Sequence, residues 1–146
     1  MIHDQIIKKV ADINVKIIGF YPTPECDHEE VKRRFTSHYL SLTLGYGVSG
    51  QLINHPDEAR IYGNRPVVAI QEVVEGDESI SLIDFEHPRD AVYIVGNSQY
   101  RWPSEHFSQI THKVHIPTGN PEHPMYGDQV LAIALYDKFS KERFNV

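Results

Sequence analysis

The amino-acid sequence predicts an α/β fold in which helices flank a parallel sheet. Three observations predict it. The 146 residues are 40% hydrophobic and 23% charged, the balance of a soluble globular domain. Apolar runs of strand length alternate with stretches of helical period, the order that builds parallel sheets through crossovers. The strongest run, Ala91-Val92-Tyr93-Ile94-Val95-Gly96, is apolar without alternation, as in a strand covered on both faces. A chain of this length buries roughly 70% of the surface it exposes when unfolded. No repeat, linker or low-complexity segment divides it, so residues 1–146 are read as one domain.

The elements follow in order. Val15 to Tyr21 is a short apolar run closed by Pro22 and Pro24, which suits a buried strand. Asp27 can cap the helix that follows, and Glu29 and Glu30 sit at its positive end. Val31, Phe35, Tyr39 and Leu42 give this helix an apolar face, and Gly45-Tyr46-Gly47 ends it. Val48 to Ile53 is a weaker strand, and Asn54 to Asp57 turns into a short helix around Glu58 to Tyr62. Pro66 starts the strand Val67-Val68-Ala69-Ile70, since it cannot donate to a ladder. Glu75 to Glu78 is an exposed turn, and Ser79 to Phe85 is apolar enough to pack. After the strand at 91–96, Pro103 to Ile110 reads as a helix, and Lys113 to Ile116 as a short strand stopped by Pro117. A loop from Thr118 to Gly127 leads to a last helix. Asp128 is its expected cap, with Val130, Ile133, Ala134 and Asp137 on or beside its core-facing stripe. In such sheets ligands bind at the carboxyl ends of the strands. Here these ends are Tyr21 to Cys26, Ile70 to Val73, Gly96 to Trp102 and Pro117 to Tyr126.

Several function classes are disfavoured at once. No run approaches the roughly 20 apolar residues of a membrane span. Met1-Ile2-His3-Asp4-Gln5 has no basic region ahead of an apolar core, so no secretory signal is expected. The single cysteine, Cys26, excludes an internal disulfide and suits the cytoplasm; its neighbours Glu25 and Asp27 blunt its reactivity as a nucleophile. Fourteen Lys and Arg against twenty Asp and Glu give a net charge of −6, which argues against tight non-specific nucleic-acid binding. His112, His115 and His123 lack the spacing of a metal site, so no metal is expected. Tyr21-Pro22-Thr23-Pro24 is the opposite of a glycine-rich phosphate loop, which disfavours a generic nucleotide-binding module. Lys32-Arg33-Arg34 is the densest basic cluster. Its ordinary reading is a solvated helix face paired with Glu29 and Glu30, and its functional reading is a phosphate contact with one catalytic arginine. Arg101 beside Trp102 likewise reads as surface packing or as a platform for a base.

The C-terminal half carries a distinctive order. The strand Val92-Tyr93-Ile94-Val95 ends in Gly96, Trp102-Pro103 opens a helix, and His115-Ile116-Pro117 closes the next strand. A loop then leads through Pro124-Met125-Tyr126 into a helix containing Ala132-Ile133-Ala134-Leu135-Tyr136-Asp137. With the lead-in Phe85 to Tyr93, this resembles the SpoU-type (TrmH-like) RNA 2′-O-methyltransferases of the SPOUT superfamily, best over residues 66–140. The first 65 residues match in element order alone.

The resemblance implies a sheet whose C-terminal segment is threaded as a deep trefoil knot, a homodimer with a shared reacting site, and S-adenosylmethionine as cofactor. Main-chain groups of Ile70-Gln71-Glu72, Val95-Gly96-Asn97, His115-Ile116-Pro117 and Met125-Tyr126-Gly127 would hold that cofactor. The implied reaction methylates a ribose 2′-hydroxyl of tRNA or rRNA. Arg33 or Arg34 would assist at the hydroxyl, and Ser98 and Tyr126 would fill the other polar positions. Departures from the family pattern are marked. Ser98 stands for a glutamate, Arg101 for a glycine and Tyr126 for an asparagine, and the N-terminal asparagine–glycine–arginine motif is absent as written. These departures, with the charge of −6, support the alternative of a catalytically inactive binding or interaction protein of the same fold. Arg101 or Tyr126 lying in the cofactor pocket would mark that alternative.

Overall fold

The computed structural model describes residues 15–20, 29–53, 58, 64–72, 78–96, 109–119 and 125–144. They contain β1 (Lys16–Phe20), α1 (Glu29–Tyr46), β2 (Ser49–Ile53), β3 (Val67–Glu72), β4 (Ile80–Ser81), β5 (Val92–Val95), β6 (His112–Ile116) and α2 (Gly127–Phe144). The strands form one sheet in the order β2-β1-β5-β3-β6-β4, with every neighbouring pair parallel. The parallel α/β sheet expected from the sequence is present. The Asp27 cap, the turn at 54–57, residues 103–108 of the expected helix and positions 120–124 of the long loop lie outside the described residues; Gln109 and Ile110, the last two residues of that expected helix, are described and are not helical. Of the short helix expected at 58–62, the structure describes Glu58 alone, in a 3₁₀ turn.

β5 lies at the centre, paired with β1 on one edge and β3 on the other, and all four of its residues are buried. Successive side chains on a strand point to opposite faces. Tyr93 and Val95 join Ile17, Val68 and Ile70 in a core shared with both helices, whereas Val92 and Ile94 join Ile18, Val67 and Ala69 on the other face, with Ile110 packed against them. Burial on both faces is why these strands carry no alternating polar residues. The edge strands differ. β2 reads Ser-Gly-Gln-Leu-Ile with burial complete only at Ile53, and β4 is two residues long, as protected sheet edges often are.

α1 turns the face predicted by its spacing to the core: Tyr39 is buried, and Val31, Phe35 and Leu42 are half-buried. It ends as a Schellman motif. Gly47 takes the left-handed conformation (φ 67°), and the Val48 N–H reaches back to the Thr43 carbonyl at 3.1 Å.

α2 corrects the sequence reading twice. Its buried line is Val130, Leu131, Ala134, Leu135 and Lys138, while Ile133 is 40% exposed and Asp137 half-buried. A helix laid over several strands buries two adjacent positions per turn, which rotates the stripe away from Ile133. The cap is Tyr126, not Asp128. The Tyr126 carbonyl accepts the first helical bond from the Val130 N–H, and its own N–H donates to Gln129 Oε1, each at 3.0 Å. This is the glutamine half of a capping box. Asp128 lies inside the first turn, at the positive end of the helix, and bonds His38 Nδ1 at 2.9 Å.

The far end of α2 is fastened to the segment after β4 by a polar cluster. His87, its side chain 1% exposed, bonds Tyr93 through Nδ1 and Asp137 through Nε2, both at 2.6 Å. A carboxylate only accepts, so Nε2–H donates to Asp137 and Nδ1 accepts from the Tyr93 hydroxyl, the arrangement of a neutral ring. Burial, opposed by Asp137, lowers the His87 pKa to about 4. The Lys138 ammonium is buried and donates to the Pro88 carbonyl (2.6 Å) and Glu142 (2.5 Å). Lys141 donates to the carbonyls of Leu82, Ile83 and Phe85 and pairs with Asp137. Among the described residues no helix is long and apolar enough to cross a membrane.

Candidate functional site

The register brings the carboxyl ends of the central strands to one edge. Gly19 lies opposite Val95, Val95 opposite Ile70, and Glu72 opposite Ile116. Ile70, Gln71, Val95, Gly96, Ile116 and Pro117, all singled out in the sequence, therefore emerge side by side from β3, β5 and β6. The start of α2 joins them. A Cβ at Gly127 would stand 3.1 Å from Val95 Cγ2 and 3.4 Å from the Gly96 carbonyl oxygen, a closeness that suits glycine. Met125, just before, is half-buried against the core.

α1 supplies the residue that sequence reasoning missed. The Tyr39 ring lies against Gly19, and its hydroxyl would be 2.6 Å from a Cβ at either Gly19 or Gly127. Tyr39 is 5% exposed, and its hydroxyl oxygen has no hydrogen-bond partner among the described residues. Burial first, and the Asp128 carboxylate second, push its pKa up, so the phenol stays protonated. Two further contacts tie α1 to the first turn of α2: the His38–Asp128 bond, and Phe35 set edge-on to Tyr126 with ring centroids 6.1 Å apart. A tyrosine on an apolar helix face reads as core in a sequence. Only the two glycines that flank it, distant along the chain, reveal its place at the edge.

The other candidates fall in different places. Tyr126 caps α2 with its side chain 67% exposed rather than sunk into the edge. Arg33 and Arg34 are exposed on α1, and at about 100° per residue they stand about 120° and 140° round the helix from Tyr39. Arg34 pairs with Glu30 at 2.9 Å, as the solvated-face reading of this cluster expects. The structure thus brings Val95, Gly96 and Gly127 together with Tyr39 and leaves the two arginines apart from them. Asn97, Ser98 and Arg101 lie outside the described residues.

His112 bonds the Thr111 hydroxyl (2.7 Å) and His115 the Ser79 hydroxyl (2.8 Å); His123 lies outside the described residues. Among the described residues no three metal-ligating side chains converge. A groove of about 310 Å³ runs between α1 and β2, past Ile17, Leu40, Thr43, Val48 and Leu52. Tyr39 forms part of its wall, and no charged side chain lines it.

No protein-family model matches this chain, and no curated protein matches it in sequence. Its fold has a counterpart among solved structures. The crystal structure of the SpoU methyltransferase AviRb from Streptomyces viridochromogenes, in complex with the cofactor AdoMet, superposes with a TM-score of 0.55 at 13% sequence identity. The match covers 90% of this chain and 61% of AviRb, so the chain spans less than two thirds of that protein's length. At this identity the likeness is one of architecture: the chain has a SpoU-like α/β fold.

Proposed function

We propose that this chain is an S-adenosylmethionine-dependent methyltransferase that modifies a ribose 2′-hydroxyl in tRNA or rRNA. The fold shared with AviRb, solved with AdoMet, supports the reading, as does the order of motifs over residues 66–140. The observation that carries it is the meeting of Val95, Gly96 and Gly127 beside the unpartnered Tyr39 hydroxyl at the carboxyl edge. Closely spaced main chain next to a buried polar atom without a partner fits a ligand held largely by backbone groups. In this reading Ile70, Gln71, Val95, Gly96, Asn97, Ile116, Pro117, Met125, Tyr126 and Gly127 hold the cofactor. The bound cofactor supplies an activated methyl group.

The protein's own residues then have to align the hydroxyl and ease the loss of its proton. A guanidinium stays protonated, so Arg33 or Arg34 orients the hydroxyl and stabilises the negative charge growing on its oxygen. Ser98 and Tyr126 serve as the other polar positions. Because both arginines stand away from Tyr39 on α1, the reading has them act across a homodimer, each subunit completing its partner's site. Exposed Leu40 and Leu44 on α1, with Ile133 and Tyr136 on α2, support such a dimer. The reading also includes the trefoil knot and a cytoplasmic location.

The inactive binding protein is the second reading, favoured by the Arg34–Glu30 pair and the charge of −6. Calorimetric titration with S-adenosylmethionine and its demethylated product separates the two. Micromolar binding, roughly −8 kcal/mol, is expected, followed by methyl transfer to RNA recovered as 2′-O-methylnucleosides on digestion. No heat and no thermal stabilisation at millimolar ligand would overturn the methyltransferase.

A further inference from the structure

The Tyr39 hydroxyl sits where the ends of β1 and β5 and the first turn of α2 meet. A buried hydroxyl with no partner costs on the order of 1–3 kcal/mol. Phenylalanine would fill the same space against Gly19 without that cost, so the oxygen points to a bond made when something else is present. Donor groups of the helix start lie close by, beside the Gly96 carbonyl oxygen. The N–H groups of Gly127 and Asp128 lie in the first turn of α2, ahead of the first helical bond at Val130, and are left outside the helix's own ladder. The phenol, kept protonated, is a donor too. The Asp128 carboxylate, in the same first turn, is already bonded to His38.

We propose that Tyr39 is a binding residue of the carboxyl-edge site, its hydroxyl donating a hydrogen bond to an acceptor atom of bound S-adenosylmethionine. The identity of the ligand rests on the function proposed above. The placement of Tyr39 rests on the geometry alone. Such a residue trades stability of the empty protein for affinity, because the same hydroxyl is unsatisfied without ligand and satisfied with it.

Tyr39→Phe removes the oxygen and keeps the ring, and two readouts should then move in opposite directions. Calorimetry with S-adenosylmethionine is expected to show about tenfold weaker binding, the effect of one lost hydrogen bond. The melting temperature without ligand is expected to be unchanged or higher. A variant that binds as tightly as the wild type overturns the role of Tyr39 and leaves the methyltransferase standing. A wild-type protein that binds no S-adenosylmethionine overturns both. A ligand-free melting temperature that falls by several degrees means the hydroxyl already has a partner within the protein, and that also overturns the inference.

Discussion

At its C-terminal end α2 buries an ammonium, an imidazole and a phenol, and each has a partner: Lys138 with Pro88 and Glu142, His87 with Asp137, and Tyr93 with His87. One Glu142 oxygen is left over. At its N-terminal end the same helix packs on α1 through Phe35, His38 and Tyr39, and a buried polar atom of that contact, the Tyr39 hydroxyl, has no partner among the described residues. Satisfied polar groups fix one arrangement, because breaking any of them exposes a desolvated partner. An unsatisfied group destabilises the protein that contains it and makes sense where a ligand completes it. In the proposed reading the 82–88 contact serves stability and the carboxyl edge serves binding.

The largest effect should come from cutting the satisfied end. Lys138→Ala leaves a cavity and a half-buried Glu142 without its cation, and is expected to lower stability by about 3–5 kcal/mol in urea unfolding. In the methyltransferase reading the S-adenosylmethionine affinity of the folded fraction should stay unchanged. A ligand-binding loss as large as the stability loss would erase the distinction between the two ends.

His87 sharpens the same comparison through pH. Its pKa is about 4 in the fold and near 6.5 in the unfolded chain, so between these values the unfolded chain binds more protons. The stability that His87 contributes is present above pH ~6.5 and is lost as pH falls toward about 4, at no more than about 1.4 kcal/mol per unit. His87→Gln is expected to be less stable at neutral pH, with the gap to wild type closing over that window in urea titrations.

Gly127→Ala probes the unsatisfied end. The new methyl would meet the Tyr39 hydroxyl at 2.6 Å and Val95 at 3.1 Å, costing about 1–3 kcal/mol against a modest gain in helix propensity. Adding Tyr39→Phe removes the nearest obstructing atom, so the double variant should recover about 1 kcal/mol by thermal melting. Strict additivity would show that Tyr39 and Gly127 do not touch. The smallest effect on stability is expected from Arg34→Ala, within about 0.5 kcal/mol, because its pair with Glu30 is exposed. In the methyltransferase reading it or Arg33→Ala lowers RNA methylation by about 10²-fold or more and leaves cofactor affinity unchanged.

The sequence made much of the fold legible because burial on both faces leaves a signal that neighbours along the chain carry together. Val92 to Val95 read as a covered strand and Val67 to Ile70 as a strand, and Phe35, Tyr39 and Leu42 read as one helix face. Strand order was not legible, since it depends on pairings such as Lys16 with Val92 that no local pattern encodes. The burial of Lys138 was not legible, because a charged residue carries no local sign that its ammonium will be fully bonded inside the fold. The carboxyl edge was legible as a place, through the strand ends at Ile70, Gly96 and Pro117. Tyr39 was not, because its aromatic ring announces a core position and its lone oxygen shows only against Gly19 and Gly127.

The central position of β5 also bears on how the chain reaches this state. β1 and β3 do not touch each other in the sheet; both wait for a strand made late in the chain to come between them. The β1–β5 pairing at the middle of the sheet, Lys16 with Val92, is long in sequence, which raises the contact order and slows the search for the native arrangement. During synthesis the apolar edges of β1 and β3 have no native neighbour until Val92 to Val95 have been made, and only β1 and β2, joined through α1, can pair early.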